Sequence, residues 1–351
     1  MSREAIGGRD IAHRANAMRA NAFGVDVHCH INGCVRESTL MELAAKRGIE
    51  DEAKAVIGDA PRDLMRCFEM FKLIHDACTT NEAGRRIARE VVEDFANDGA
   101  AYVELRTTPK EAPEREVTKE SYVRAILDGI EDACGVGGGD GRGKITARVI
   151  LSVDRGRDDT ESKVNETVDL ALNNRARGVV GIDVSGDPKA GSWEMYEPAL
   201  RRARDAGLGV AVHCGEVAHT EEEQRRMIAS GLVDRLGHCV FTVRDDECYA
   251  ALKASRIPVE LCLTSNVLTN STKSYDEHHF KQLRRDGVPL CLCTDDTWVF
   301  RTSLSRECAI AQVHFGLSVE DIREIMLDAV RFSFVEPDVK ARLVERIQGR
   351  A

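Results

Sequence analysis

Short, almost wholly apolar runs alternate along the chain with longer stretches in which apolar residues recur every three or four positions. The short runs read as strands: Phe23–Cys29, Ala101–Arg106, Ile145–Val153, Val179–Val184, Leu208–Cys214, Asp234–His238, Pro258–Leu263 and Pro289–Thr294. The seven after the first have the near-continuous apolar character of parallel strands covered on both faces. Helical spacing marks Lys119–Ala133, Asp159–Asn174, Trp193–Ala206, Thr220–Ala229, Asp245–Ala254 and Asp276–Asp286 between them. Three more helices, Ser305–Val313, Ser318–Val330 and Asp338–Ile347, close the chain. A helical block follows the first strand: Ser38 or Thr39 caps a helix through about Lys46, and Asp63–Ala77 and Glu82–Asn97 repeat the pattern before a stop at Gly99. Eight such units predict an α/β fold, a (β/α)8 TIM barrel with a helical insertion after strand 1, as one domain over residues 1–351. A doubly wound open sheet is the alternative. The glycine-rich segment Gly135–Gly143 has no G-K-[ST] after it and opens no helix, so it reads as a linker rather than a phosphate loop.

Composition narrows the function. Hydrophobic residues at 43% and charged residues at 31% describe an ordinary globular protein, and no apolar run of about 18 residues predicts a membrane span. A net charge of −10 argues against a nucleic-acid partner, which needs a basic face. The N-terminal stretch lacks the apolar core of a secretory signal, and Glu4 and Asp10 argue against a transit peptide, so the cytoplasm is the expected location. Of the 12 cysteines, Cys29, Cys34, Cys214, Cys239, Cys262, Cys291 and Cys293 lie in or beside strand-like runs, as small buried hydrophobes in a reducing compartment would.

The chemistry collects where the strands end. His28 and His30, two apart on a strand, share one face and can grip a divalent metal together, although two ordinary buried histidines is the competing reading. Further strand ends carry Arg106–Thr108, Asp154, Asp183–Gly186, His213 and Glu216, His238, Ser265 and Asn266, and Asp295 and Asp296. Only 10 histidines occur in the chain, and four stand at these ends. His28, His30, His213 and Asp295 would make a three-nitrogen, one-oxygen shell for one Zn2+, whose bound water falls to a pKa of about 7. His238 and Asp296 would orient and partly deprotonate that water, and Glu216 would protonate a ring nitrogen or leaving group. His13, His219, His278, His279 and His314 carry no motif and read as surface or helix residues; Trp193 and Trp298 read as packing residues.

The blocks VDVHCHINGCVREST, VHCGEV, RLGHCV, LTSN and CTDDT, in that order from His28 to Asp296, resemble those of the adenosine deaminase superfamily, a family of metallo-dependent hydrolases. The resemblance implies the barrel, one zinc per chain on His28, His30, His213 and Asp295, and Glu216 as proton donor to purine N1. It also implies His238 on the attacking water, Asp296 on the purine ring, and the Gly186 backbone at another ring nitrogen. Where adenosine enzymes carry an acid two residues after the second histidine, this chain has Asn32. A carboxylate there would repel a 5′-phosphate of about −1.5 to −2 charges, whereas an amide would not. The fuller strings HINGCVREST, VELRTTPK and GIDVSGDPKAGSW look most like the adenosine deaminase-like branch, which hydrolyses N6-methyl-AMP and related monophosphates to IMP and an amine. By that resemblance Thr107, Thr108, Lys110 and His75 form the phosphate pocket, and His30, Asn32, Pro109 and Asp154 also line the substrate site. The partner expected is a small purine nucleoside monophosphate bound by a monomer. An ordinary adenosine deaminase, another barrel amidohydrolase with two metals, and an inactive nucleotide-binding protein are the competing readings.

Overall fold

A computed structural model describes residues 3–58, 64–135, 138–141 and 143–349. Among these residues eight strands form one parallel sheet in sequence order: β1 (Gly24–His30), β2 (Ala100–Thr107), β3 (Thr146–Asp154), β4 (Val179–Ser185), β5 (Gly209–Cys214), β6 (Arg235–His238), β7 (Val259–Leu261) and β8 (Leu290–Leu292). All seven neighbouring pairs are parallel, and helices between successive strands cover the outside, so the strands are buried along nearly their whole length. Closure comes just beyond β8. A parallel bridge joins Cys29 to Asp295, with His30 N–H donating to the Asp295 carbonyl (2.8 Å) and Asp295 N–H to the His28 carbonyl (2.9 Å). The predicted (β/α)8 barrel is therefore the fold, nearly closed, and its seam sets Asp295 between two histidines of β1.

Several expected boundaries move. The helix after β1 begins at Glu37 with Arg36 as its cap; Thr39, expected to cap it, is buried and donates to Glu90 Oε2 at 2.6 Å. An additional helix, Glu50–Ile57, joins the insertion, and the one expected from Asp63 runs over Leu64–Ala77, Asp63 itself lying outside the described residues. The N-terminal stretch forms a helix, Arg3–Asn21, that packs against Leu304–Phe315 through Ile11, Ala15 and Met18. The seventh strand stops at Leu261, and the residues expected to finish it instead open a helix, Leu263–Leu268. The helix expected over Asp276–Asp286 breaks into a turn, Tyr275–Glu277, and a short helix, Phe280–Arg285. The expected linker Gly135–Gly143 falls partly outside the described residues. The seven cysteines expected to be buried are buried and free.

Candidate active site

The barrel floor is built from charges that the strands carry inward. Glu104 and Arg106 on β2, Asp183 on β4, Arg235 on β6 and Glu260 on β7 are all fully buried. Such groups survive burial only when each is paired and hydrogen-bonded. Arg106 donates to Asp183 Oδ1 at 2.9 Å and to Glu260; Arg235 donates to Glu260 Oε1 and Glu104 Oε2, both at 2.6 Å. The paired carboxylates then reach upward. Glu260 Oε2 lies 2.7 Å from His28 Nδ1, and Asp183 Oδ1 lies 3.1 Å from His213 Nδ1.

Tying both Nδ1 atoms to carboxylates turns both Nε2 atoms toward one point, the arrangement that orients metal-binding imidazoles. His28 Nε2 is buried with no hydrogen-bond partner, and it stands 3.6 Å from Asp295 Oδ1. His30 Nε2 lies 3.6 Å from the same oxygen and 3.2 Å from His213 Nε2. The donor atoms of His28, His30 and Asp295 all fall within 4.8 Å of one another, as do those of His28, His213 and His238. Asp295 Oδ2 accepts from Ser265 Oγ at 2.7 Å, which leaves Oδ1 for the centre. Three imidazole nitrogens and one carboxylate oxygen, with an orphaned buried nitrogen among them, fit a divalent cation such as zinc. Burial pushes His30 down to about 3, so its ring is neutral; burial acts the same way on His213, but Asp183 overrides it and raises that ring to about 9.

Around this centre stand the other residues expected from the sequence. Glu216, about a third exposed, lies 3.8 Å from His238 Nε2, and burial raises its carboxyl. Burial holds His238 well below the usual histidine range. Asp296 is buried with Oδ1 unpartnered, and burial, then the Asp295 charge, raises its carboxyl far above the usual range. Gly33 lies against it so closely that a Cβ there would overlap the Asp296 carboxyl. Gly186 adopts φ +97°, and a Cβ on it would come within 2.8 Å of Asp154 Oδ1, which accepts from Gly156 N–H at 2.9 Å. The backbone is strained here too: His238, Cys239 and Asp295 have φ of +63°, +57° and +65°, positions that cost non-glycine residues roughly 1–3 kcal/mol each.

A second cluster sits beside the first. Tyr122 Oη lies 2.8 Å from Thr107 Oγ1 and accepts from Asn32 Nδ2 at 3.4 Å. Lys110 Nζ lies 5.3 Å from the centre of the Tyr122 ring, buried and with no hydrogen-bond partner among the described residues. Half-buried Thr108 and buried Pro109 carry the chain from Thr107 to this lysine. His75 is close enough to feel the charges of Lys110 and Arg157; burial first, then those cations, lowers it to about 4. Tyr122 and Arg157 were not singled out in the sequence, because both lie in segments without a motif.

One other expectation is corrected. His278 and His279 are not surface residues but are buried, at 2% and 9% exposure, beneath His238. Trp298, expected to be a packing residue, is partly buried against the core, and its indole N–H donates to Glu37 at 3.3 Å. His13 and His219 are exposed, His314 pairs with Asp276 at 3.0 Å, and Trp193 is a core residue, as expected.

Residues 24–350 match the adenosine deaminase family. Among curated proteins the chain is 42% identical over 340 residues to the N6-mAMP deaminase of Arabidopsis thaliana, covering 91% of this chain and 94% of that one. It is 32% identical to the human N6-methyl-AMP deaminase, covering 91% and 90%. Solved structures agree. The Arabidopsis N6-mAMP deaminase MAPDA superposes with a TM-score of 0.87 at 40% identity, covering 93% of this chain and 97% of that one. Arabidopsis ADAL complexed with IMP gives 0.85 at 39% identity, covering 93% and 96%.

Proposed function

Because this chain belongs to the adenosine deaminase family, we propose that it hydrolyses the C6 amine of N6-methyl-AMP and related N6-substituted AMP, giving IMP and methylamine or another small amine. The observation that carries the choice of substrate is the buried Nζ of Lys110, which has no hydrogen-bond partner among the described residues. An ammonium buried without a partner is costly to a folded protein, and a dianionic phosphate relieves that cost. Thr107, Tyr122 and neutral His75 offer further donors beside it, and Asn32 brings no charge to repel the phosphate. Thr108, Pro109 and Asp154 complete the pocket wall in this reading.

His28, His30, His213 and Asp295 would hold one zinc per chain, which supplies the Lewis acidity that makes water nucleophilic near neutral pH. The chain's own groups do the rest. The raised carboxyl of Glu216 keeps a proton for purine N1, which makes C6 electrophilic. Asp296, protonated, donates to a ring nitrogen that only accepts, and the Gly186 main chain meets another. His238 faces the incoming water. The water oxygen becomes the C6 oxygen, one of its hydrogens ends on N1 and the other on the departing amine. No nucleic acid is needed, and the enzyme is read as a cytosolic monomer.

Purified protein given N6-methyl-AMP is expected to yield IMP and methylamine in equal amounts. Chelation should abolish turnover and zinc should restore it. Turnover that survives full removal of metal would overturn the reading.

A further inference from the structure

The paired histidines His278 and His279, without a motif in the sequence, sit directly behind His238 with their rings stacked 4.4 Å apart. We propose that both are positioning residues for His238: His278 sets, through Asn266, which ring nitrogen of His238 carries the hydrogen, and His279 pins its main chain.

The direction of the first contact chain follows from the one donor that cannot be reversed. The Phe280 main-chain N–H donates to His278 Nδ1 at 3.1 Å. A ring nitrogen that accepts carries no hydrogen, so neutral His278 holds its hydrogen on Nε2. Burial keeps this ring neutral, well below the usual histidine range. His278 Nε2 lies 3.2 Å from Asn266 Oδ1 and donates to it. That contact fixes which end of the amide is which, and Nδ2 is left facing His238 Nδ1 at 3.2 Å. An amide nitrogen can only donate, so His238 Nδ1 accepts. Neutral His238 therefore carries its hydrogen on Nε2, the nitrogen 3.8 Å from Glu216 Oε1.

The second contact acts on the backbone. His279 Nε2 donates to the His238 carbonyl at 2.7 Å, and the Cys239 N–H donates to the Cys214 carbonyl at 2.9 Å. These bonds hold His238 and Cys239 in consecutive left-handed conformations that neither residue favours.

The consequence is a changed role for His238. With its hydrogen on Nε2 it donates to the oxygen of the incoming water and does not take that water's proton. The part of the sequence reading in which His238, with Asp296, partly deprotonates the water requires the other tautomer of His238.

The effect on turnover rests on the deaminase reading, but the tautomer does not, so the two fail separately. In zinc-loaded protein labelled at the histidine nitrogens, ring couplings identify the tautomer, and a His238→Gln spectrum assigns the signal. The wild type is expected to show hydrogen on Nε2 and a bare Nδ1. Asn266→Asp keeps the shape but only accepts, so it should move the hydrogen to Nδ1. Turnover of N6-methyl-AMP should then fall roughly 10²- to 10⁴-fold, as for a misplaced histidine tautomer, with KM changed less than about threefold. His278→Phe should mix the tautomers and His278→Gln, which keeps a donor, should restore the wild-type signature. Hydrogen on Nδ1 in the wild type, or Asn266→Asp with unchanged signature and kcat, would overturn the assignment.

Discussion

At the scale of single residues, the account turns on charge placed or withheld. Asn32→Asp puts a carboxylate beside Tyr122 and the phosphate pocket. It is expected to lower kcat/KM on N6-methyl-AMP by roughly 10- to 100-fold, about 1.4–2.8 kcal/mol, and to leave N6-methyladenosine almost unaffected. Steady-state kinetics on the two substrates checks this; equal losses would contradict it. Glu216→Gln retains the shape but gives up the mobile proton, so kcat should fall on the order of 10²–10⁴-fold while nucleotide binding, read by calorimetry with IMP, persists. Gly33→Ala tests a steric point, since the new methyl meets the Asp296 carboxyl. Metal content should be unchanged and kcat/KM reduced at least about tenfold, because a displaced contact of about 1.4 kcal/mol is enough for that loss.

At the scale of elements, much was legible because strands buried on both faces can hardly be anything but apolar. Val179–Val184 and Leu208–Cys214 therefore kept their places within a residue or two. His28, His30, His213 and Asp295, which the structure brings together, could be singled out because each stands near or just past the C-terminal end of a strand. The pairing of the charges below them was not legible. Glu104, Arg235 and Glu260 sit inside strands, and only the closed barrel shows that they and Arg106, read as a strand-end residue, face one another. The Leu263–Leu268 helix was missed because β7 has only three residues, and an apolar run that short does not announce where it ends. His278 and His279 were read as surface or helix residues because amphipathic spacing cannot reveal a turn that tucks two polar rings under a strand end. The ties to Glu260 and Asp183 carry a prediction of their own. Glu260→Gln or Asp183→Asn should weaken zinc binding about 10- to 100-fold in a competition titration with a chromogenic chelator.

For the molecule as a whole, the same buried charges serve stability and chemistry together. Arg235→Met leaves Glu104 without its arginine and Glu260 with Arg106 alone, which should cost about 3–5 kcal/mol and move the denaturation midpoint accordingly. The barrel seam has a similar double role, since the bridge that closes the sheet between Cys29 and Asp295 also brings together residues that would hold the metal. Lys110 Nζ is buried without a hydrogen-bond partner among the described residues, and the proposed substrate rests on it. The most direct test is the ratio of kcat/KM for N6-methyl-AMP to that for N6-methyladenosine, measured on one zinc-replete preparation. The account predicts a ratio of roughly 100 or more, about 2.8 kcal/mol from the phosphate, falling toward one in Lys110→Met. A wild-type ratio at or below one would contradict it.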